Sequence, residues 1–263
     1  MFVTASHRPV PTAPARPVTG HRPVISVIGM GPEGLVTVAA LADLGHRVIA
    51  VDMDPDRLAM LMPDADLQDL TEPGLALLLR QGVASGRITA CDDMMEGVLS
   101  SDVTIVTGGC GQDAFGAPDS YALTATGRAL GRMLALKDGF HVVLQQAPVA
   151  PGTTRGVLIA AMEDGSGLEA GRDFGVCHWP ARLRAGRALA DFRAPSQAVL
   201  GVGDRRTAIR IGAILSQLDV TPVLTSIEVA EMAGGLPGHS DTRPDNVIFP
   251  MLGALAQVRR AGV

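Results

Sequence analysis

Apolar residues come in short blocks cut by polar or glycine-rich breaks, and the blocks alternate between two kinds. Val24-Ile25-Ser26-Val27-Ile28 is a β-branched run of strand length, which reads as a buried strand. Leu35 to Leu44 is apolar and alanine-rich and predicts a helix closed by Gly45. Arg47 to Val51 is the second strand. Further on, Pro55 to Leu61 predicts a short helix, and Glu72-Pro73-Gly74-Leu75 opens a helix running to about Gln81. Arg87 to Ala90 is a strand, and Asp92 or Asp93 caps a short helix through Leu99. Strands over Val103–Thr107, His141–Leu144 and Phe174–Cys177 alternate with helices over Ser120–Leu136 and from Pro151-Gly152-Thr153-Thr154. Ala198–Val202, Arg205–Leu218 and Pro222–Leu224 form a last strand–helix–strand piece. A helix starts near Ile227, is broken at Gly234, Gly235, Pro237 and Gly238, and a further helical pattern covers Phe249–Arg260. Alternating strands and helices predict an α/β fold with a doubly wound, mainly parallel sheet.

Composition divides the chain into three parts. Residues 1–23 carry five prolines and Arg8, Arg16 and Arg22 with no acid and no apolar core, a disordered Pro/Arg extension rather than a secretory signal. Residues 24–225 hold the alternating pattern, and 226–263 form a truncated helical C-terminal segment. Of the 263 residues 47% are hydrophobic, enough for a sizeable core, yet no apolar run reaches membrane-spanning length. A net charge of −5 argues against nucleic acid or an anionic membrane as partner. Cys91, Cys110 and Cys177 are widely spaced and odd in number, which fits neither a disulfide framework nor a zinc site and suits a reducing cytoplasmic setting. The six histidines form no i, i+4 pair, so no metal site is expected.

The candidate chemistry lies in the first strand–helix–strand unit. Gly29-Met30-Gly31-Pro32-Glu33-Gly34 follows a strand and opens a helix, and Asp52 ends the next strand 23 residues after Gly29. That context makes G-x-G-x-x-G a dinucleotide-binding turn in a Rossmann-type fold. Gly29 allows the tight turn, Gly31 lets the backbone approach the pyrophosphate, and Gly34 allows close helix–strand packing. The helix N-terminus offers free N–H groups to phosphate. Asp52 would accept hydrogen bonds from ribose hydroxyls and repel the extra phosphate of NADP, so the expected cofactor is NAD. Glu33 suits the helix dipole but competes with pyrophosphate for the same N–H groups. Met30, Pro32 and Arg57 join the cofactor-facing set.

Further along, Gly45-His46-Arg47-Val48, Glu72-Pro73-Gly74-Leu75, Ser101-Asp102-Val103, Pro151-Gly152-Thr153-Thr154, Asp173-Phe174-Gly175-Val176 and Glu228-Val229-Ala230-Glu231-Met232 follow in order. With the glycine turn, this series resembles the UDP-glucose/GDP-mannose 6-dehydrogenase family from Ile25 to Met232, and looks closest to its GDP-mannose branch. The resemblance implies NAD-dependent oxidation of the C6 hydroxyl of a nucleotide sugar to a carboxylate. It also implies a cysteine nucleophile passing through a thiohemiacetal and a thioester. The family's catalytic glutamate loop corresponds to Trp179-Pro180-Ala181-Arg182-Leu183-Arg184-Ala185-Gly186, so the glutamate is Ala181. Its lysine segment corresponds to Gly234–Gly238. Lys137, the sole lysine, follows a helix of the nucleotide domain, and Asn246, the sole asparagine, is displaced. The cysteine motif and sugar-nucleotide domain of the family would fall beyond Val263. On the cofactor side, the family's V-G-T-P turn corresponds to Gly108-Gly109-Cys110-Gly111, and a threonine near the nicotinamide becomes Pro148.

These departures predict no catalytic residues and an NAD-binding, catalytically impaired member, acting as a binding or partner module near nucleotide-sugar or polysaccharide metabolism. Two alternatives stay open: an active NAD-dependent oxidoreductase with an altered or subunit-completed site, and a structural heteromer subunit or remnant without cofactor. Expected partners are NAD, a nucleotide-sugar ligand, and a homo- or hetero-oligomer with a dehydrogenase or glycosyltransferase. Cys110 as a substitute nucleophile and His178 as a base are weighed against a loop filler and a residue that shapes the cleft. Arg182, Arg184 and Arg187 read as contacts to an acidic ligand or as a solvated basic face.

Overall fold

A computed structural model of the chain describes residues 22–107, 120–195 and 198–234. The inner strands are buried runs because both of their faces are covered, whereas the two edge strands, over Ile88–Cys91 and Val223–Thr225, are partly exposed. β1 (Val24–Ile28), β4 (Val103–Val106), β5 (Val142–Gln145) and β6 (Gly175–His178) are buried at every position. With β2 (Arg47–Val51), β3 (Ile88–Cys91), β7 (Val199–Val202) and β8 (Val223–Thr225) they form one sheet, ordered β3-β2-β1-β4-β5-β6-β7-β8. All pairs are parallel except β6 with β7. The fold is therefore the expected α/β, Rossmann-type, doubly wound sheet. The antiparallel step was not foreseen from the sequence.

Alternate side chains feed two cores. Ile25, Val27, Val48, Ala50, Ile105 and Leu144 point to one face, covered by α1 (Pro32–Asp43), α3 (Leu75–Ala84), α7 (Ala188–Arg193) and α8 (Arg205–Leu215). Ile28, Val51, Val106, Val143 and Val176 point to the other, under α4 (Met94–Leu99), α5 (Ser120–Leu134), α6 (Ala160–Ser166) and α9 (Ile227–Gly234). Between α1 and α3, α2 spans Pro55–Ala59. No helix among the described residues is long and apolar enough to cross a membrane.

Several elements differ from the sequence reading. α3 starts at Leu75, not Glu72, and runs one turn further, to Ala84. The Pro151 turn leads into a π-helical stretch, Thr154–Ile159, before α6. α7 was not expected at all. Its six residues carry no side-chain cap of their own. Instead Glu72 accepts the Gly186 and Leu189 N–H groups at 2.8 and 3.1 Å. The extension as far as residue 21, the Gly108–Gly111 turn and the Phe249–Arg260 helix lie outside the described residues.

Polar side chains also thread the amino end of the sheet. Ser101 Oγ donates to Ser26 Oγ at 2.9 Å, Ser26 and Thr104 share a hydrogen bond of 2.8 Å, and Thr104 Oγ1 meets His141 Nε2 at 2.8 Å. All four residues are buried.

Candidate dinucleotide site

The glycine turn is pinned by its neighbours on three sides. Gly29, at φ 98°, takes a conformation that side chains avoid. Its N–H donates to Val51 O at 2.8 Å, and its carbonyl accepts from the Thr107 hydroxyl at 2.8 Å. α1 packs so closely beneath it that a Cβ on Gly34 would lie 1.8 Å from Gly29 O. At Gly31 a Cβ would meet nothing within 4 Å. The requirement at Gly34 is thus internal packing, whereas at Gly31 it is open space for a ligand.

Asp52 closes the turn from β2. Its Oδ2 accepts from Met30 N at 2.6 Å and its Oδ1 from Asp54 N at 3.0 Å. Arg57 reaches Oδ2 at 3.3 Å. Burial works against the charge, but the two N–H groups and the guanidinium outweigh it and hold the carboxyl below its ordinary value. A carboxylate has about four lone-pair positions, so acceptor capacity remains for ribose hydroxyls. The Met30 N–H is taken by Asp52 and Pro32 has none. The start of α1 therefore offers the N–H groups of Gly31, Glu33 and Gly34 to a phosphate.

Glu33 is half-buried in this first turn. Its carboxylate accepts no hydrogen bond among the described residues, so it does not compete for these N–H groups by occupying them. Its burial goes uncompensated and raises its pKa. A pyrophosphate placed here would raise it further, so binding would draw a proton onto Glu33. We expect Glu33→Gln to bind NAD about tenfold more tightly at neutral pH. NAD affinity of the unaltered chain is expected to rise as pH falls from neutrality toward the carboxylate range, while that of Glu33→Gln stays flat. Calorimetry across that range checks both; parallel pH profiles would exclude the carboxylate as the cause.

At the carboxyl edge, β5 and β6 end on Gln145 and His178, which are register partners. Gln145 Oε1, Gln146 Nε2, Thr154 Oγ1 and both His178 ring nitrogens are buried without hydrogen-bond partners among the described residues. Gln146 Oε1 accepts from Thr37 of α1 at 3.1 Å. Pro148, half-buried, follows on the same loop. Such unpaired polar atoms are rare in interiors and here gather where a dinucleotide's second half lies on this fold. The cradle, the acid and these atoms together fit NAD.

The other sequence candidates resolve differently. Burial holds His178 at about 4, so it is a weak base at neutral pH. Burial also raises the thiols of Cys91 and Cys177. Gly108, Gly109 and Cys110 lie outside the described residues. The three arginines make contacts within the protein while their side chains stay exposed. Arg184 binds Asp191 at 2.6 Å, Arg187 approaches the same carboxylate at 3.5 Å, and Arg182 donates to Ala233 O at 2.9 Å. Ala181 is 8% exposed. Lys137 sits at the amino edge, donating to the α4 carbonyls of Val98 and Leu99 at 3.0 and 2.8 Å.

Sequence reasoning missed what Glu231 does. This buried residue of α9 accepts the Gly152 and Thr154 N–H groups at 2.5 and 2.6 Å. Beside it, Glu228 pairs with Arg155 at 2.6 Å. The spacing of two acids one turn apart on a helix face was the available signal.

A model of the UDP-glucose/GDP-mannose dehydrogenase family, NAD binding domain, matches residues 24–219. The GDP-mannose 6-dehydrogenase of Pseudomonas aeruginosa is 34% identical over 79% of this chain and 47% of its own length. The UDP-glucose 6-dehydrogenase of Haloferax volcanii is 33% identical over 79% of this chain and 49% of its own. A crystal structure of a ternary complex of GDP-mannose dehydrogenase from P. aeruginosa superposes with a TM-score of 0.75 at 31% identity, covering 89% of this chain and 50% of that one. A UDP-glucose dehydrogenase from Pyrobaculum islandicum gives 0.72 at 32%, covering 84% and 50%. The chain spans about half the length of the relatives it matches. The fold agrees with these matches, and the chain belongs to the UDP-glucose/GDP-mannose dehydrogenase family through its NAD-binding domain.

Proposed function

We propose that this chain keeps the family's cofactor site without its hydride chemistry and works as an NAD-binding partner module in nucleotide-sugar or polysaccharide metabolism. The observation that carries the reading is the carboxyl edge itself. The loop after β6 presents buried Ala181 where the resemblance places a glutamate. The segment where it places a lysine reads Gly234 to Gly238 and holds none, and Lys137 is held at the opposite edge of the sheet. Catalytic groups of this kind act as a unit, so losing the acid and the cation together removes most transition-state stabilisation.

NAD bound here would have its pyrophosphate against the Gly31, Glu33 and Gly34 N–H groups and its adenosine ribose toward Asp52. A cytoplasmic setting supplies that cofactor. A homo- or hetero-oligomer with a dehydrogenase or glycosyltransferase would give the module its role. Calorimetry should find NAD binding in the micromolar to millimolar range and much weaker binding of NADP, whose phosphate meets Asp52. No heat at millimolar NAD would sink the cofactor half. Incubation with NAD and either GDP-mannose or UDP-glucose should yield no sustained NADH. Steady turnover by the purified chain would show instead an active oxidoreductase with an altered site.

A further inference from the structure

We propose that the amino edge of the sheet, opposite the dinucleotide cleft, carries a second site that takes the phosphate group of a small phosphorylated molecule between Lys137 and Arg206. A cavity of about 320 Å³ opens there, its wall carrying Lys137, Arg172 and Arg206 against one carboxylate, Asp173, beside Phe140 and His141. Its charge is unbalanced. α8 begins with Arg205 and Arg206 and has no acid in its first turn, so these cations oppose the helix dipole. The capping carboxylate of Asp204 is committed to the Thr207 N–H and hydroxyl, at 2.8 and 2.5 Å.

Arg210 lies one turn further along the same face, a like-charge pairing that is unfavourable by itself. Both guanidinium groups stand over the Phe140 ring, at 4.0 and 5.8 Å from its centre. The ring fixes their position without neutralising them. Lys137 Nζ is bound to two carbonyls, and Asp102, itself bonded to Val24 N, acts on it only at a distance. No carboxylate among the described residues lies within ion-pair distance of Lys137, Arg206 or Arg210. Arg172, also on the wall, is different, because Asp173 and Glu169 pair with it.

A second observation is independent of the charges. His141 lines the cavity and is fully buried, with Nε2 bonded to Thr104 and no hydrogen-bond partner for Nδ1 among the described residues. Two cations without a carboxylate partner, Lys137 and Arg206, suit a phosphate, and guanidinium N–H groups match its oxygens in a planar fork. The volume is at the small end for ligand pockets, which favours free phosphate or a sugar phosphate over a dinucleotide.

The test is calorimetric titration of the full chain with inorganic phosphate and with ribose 5-phosphate at constant ionic strength, paired with nitrogen resonances of the His141 imidazole. The His141 signals are expected to move with either probe, and tighter binding of the sugar phosphate would identify the ester as the ligand. Arg206→Met/Arg210→Met leaves the glycine turn untouched and is expected to weaken this site by about tenfold or more. Unmoved His141 resonances in the unaltered chain, or equal affinity in the double variant, would overturn the proposal. The His141 readout decides it even if the double variant fails to fold.

Discussion

Replacing Gly34 by alanine is expected to abolish NAD binding and to lower stability by about 3 kcal/mol. The added Cβ would lie 1.8 Å from Gly29 O and 3.1 Å from Thr107 Oγ1. Neither neighbour can retreat. Gly29 is fixed by its hydrogen bond to Val51, and Thr107 ends a strand buried on both sides. The helix start must therefore move away from the sheet, taking the Glu33 and Gly34 N–H groups with it. Gly31→Ala is the contrasting variant. Its φ and ψ, −69° and −176°, suit alanine, and a Cβ there meets nothing within 4 Å. It should fold with nearly unchanged stability yet bind NAD more weakly, because the methyl group intrudes on the ligand's approach. Thermal melts and calorimetry on both variants separate the two roles; equal effects of the two substitutions on stability would refute the assignment.

Glu231→Ala is expected to cost about 4 kcal/mol and to release α9 from the sheet. One carboxylate holds two N–H groups at the start of the Pro151 turn, and removing it leaves the buried Thr154 donor without a partner and frees exposed Gly152. The loss at a buried donor is worth roughly 1–3 kcal/mol. α9 also contributes Ile227 and Ala230 to the core, so its release exposes apolar surface. Glu231→Gln keeps an acceptor for one N–H and should fall between the two. Urea denaturation measures the series, and a change under about 0.5 kcal/mol for the alanine variant would show that the contact contributes little.

Both predictions rest on features the sequence revealed unequally. The inner strands were legible because a strand covered on both faces must be apolar throughout, as Val24–Ile28 and Val103–Val106 are. Gly29, Gly34 and Asp52 were legible because their spacing within a strand–helix–strand unit is imposed by the turn. Hidden features depended on residues far apart in the chain. α7 is too short to show a period, and its cap comes from Glu72. The service of Glu231 to Gly152 and Thr154 crosses 77 to 79 positions. Arg184 and Arg187 read as free charge because Asp191, their partner, belongs to a helix that the pattern did not reveal.

The Glu72 contact also sets an order of events. Glu72 and Gly186 are 114 positions apart, and Arg193 reaches Asp43 across 150. The stretch from Arg184 to Arg193 carries its own Arg184–Asp191 bridge, but the anchors that seat it, Glu72 and Asp43, belong to a first half that must already have formed. Contacts of such long range are slow to close, since the intervening chain must be ordered first. That segment is accordingly expected to form after the first half of the domain and, during synthesis, to stay open to misassembly until it does.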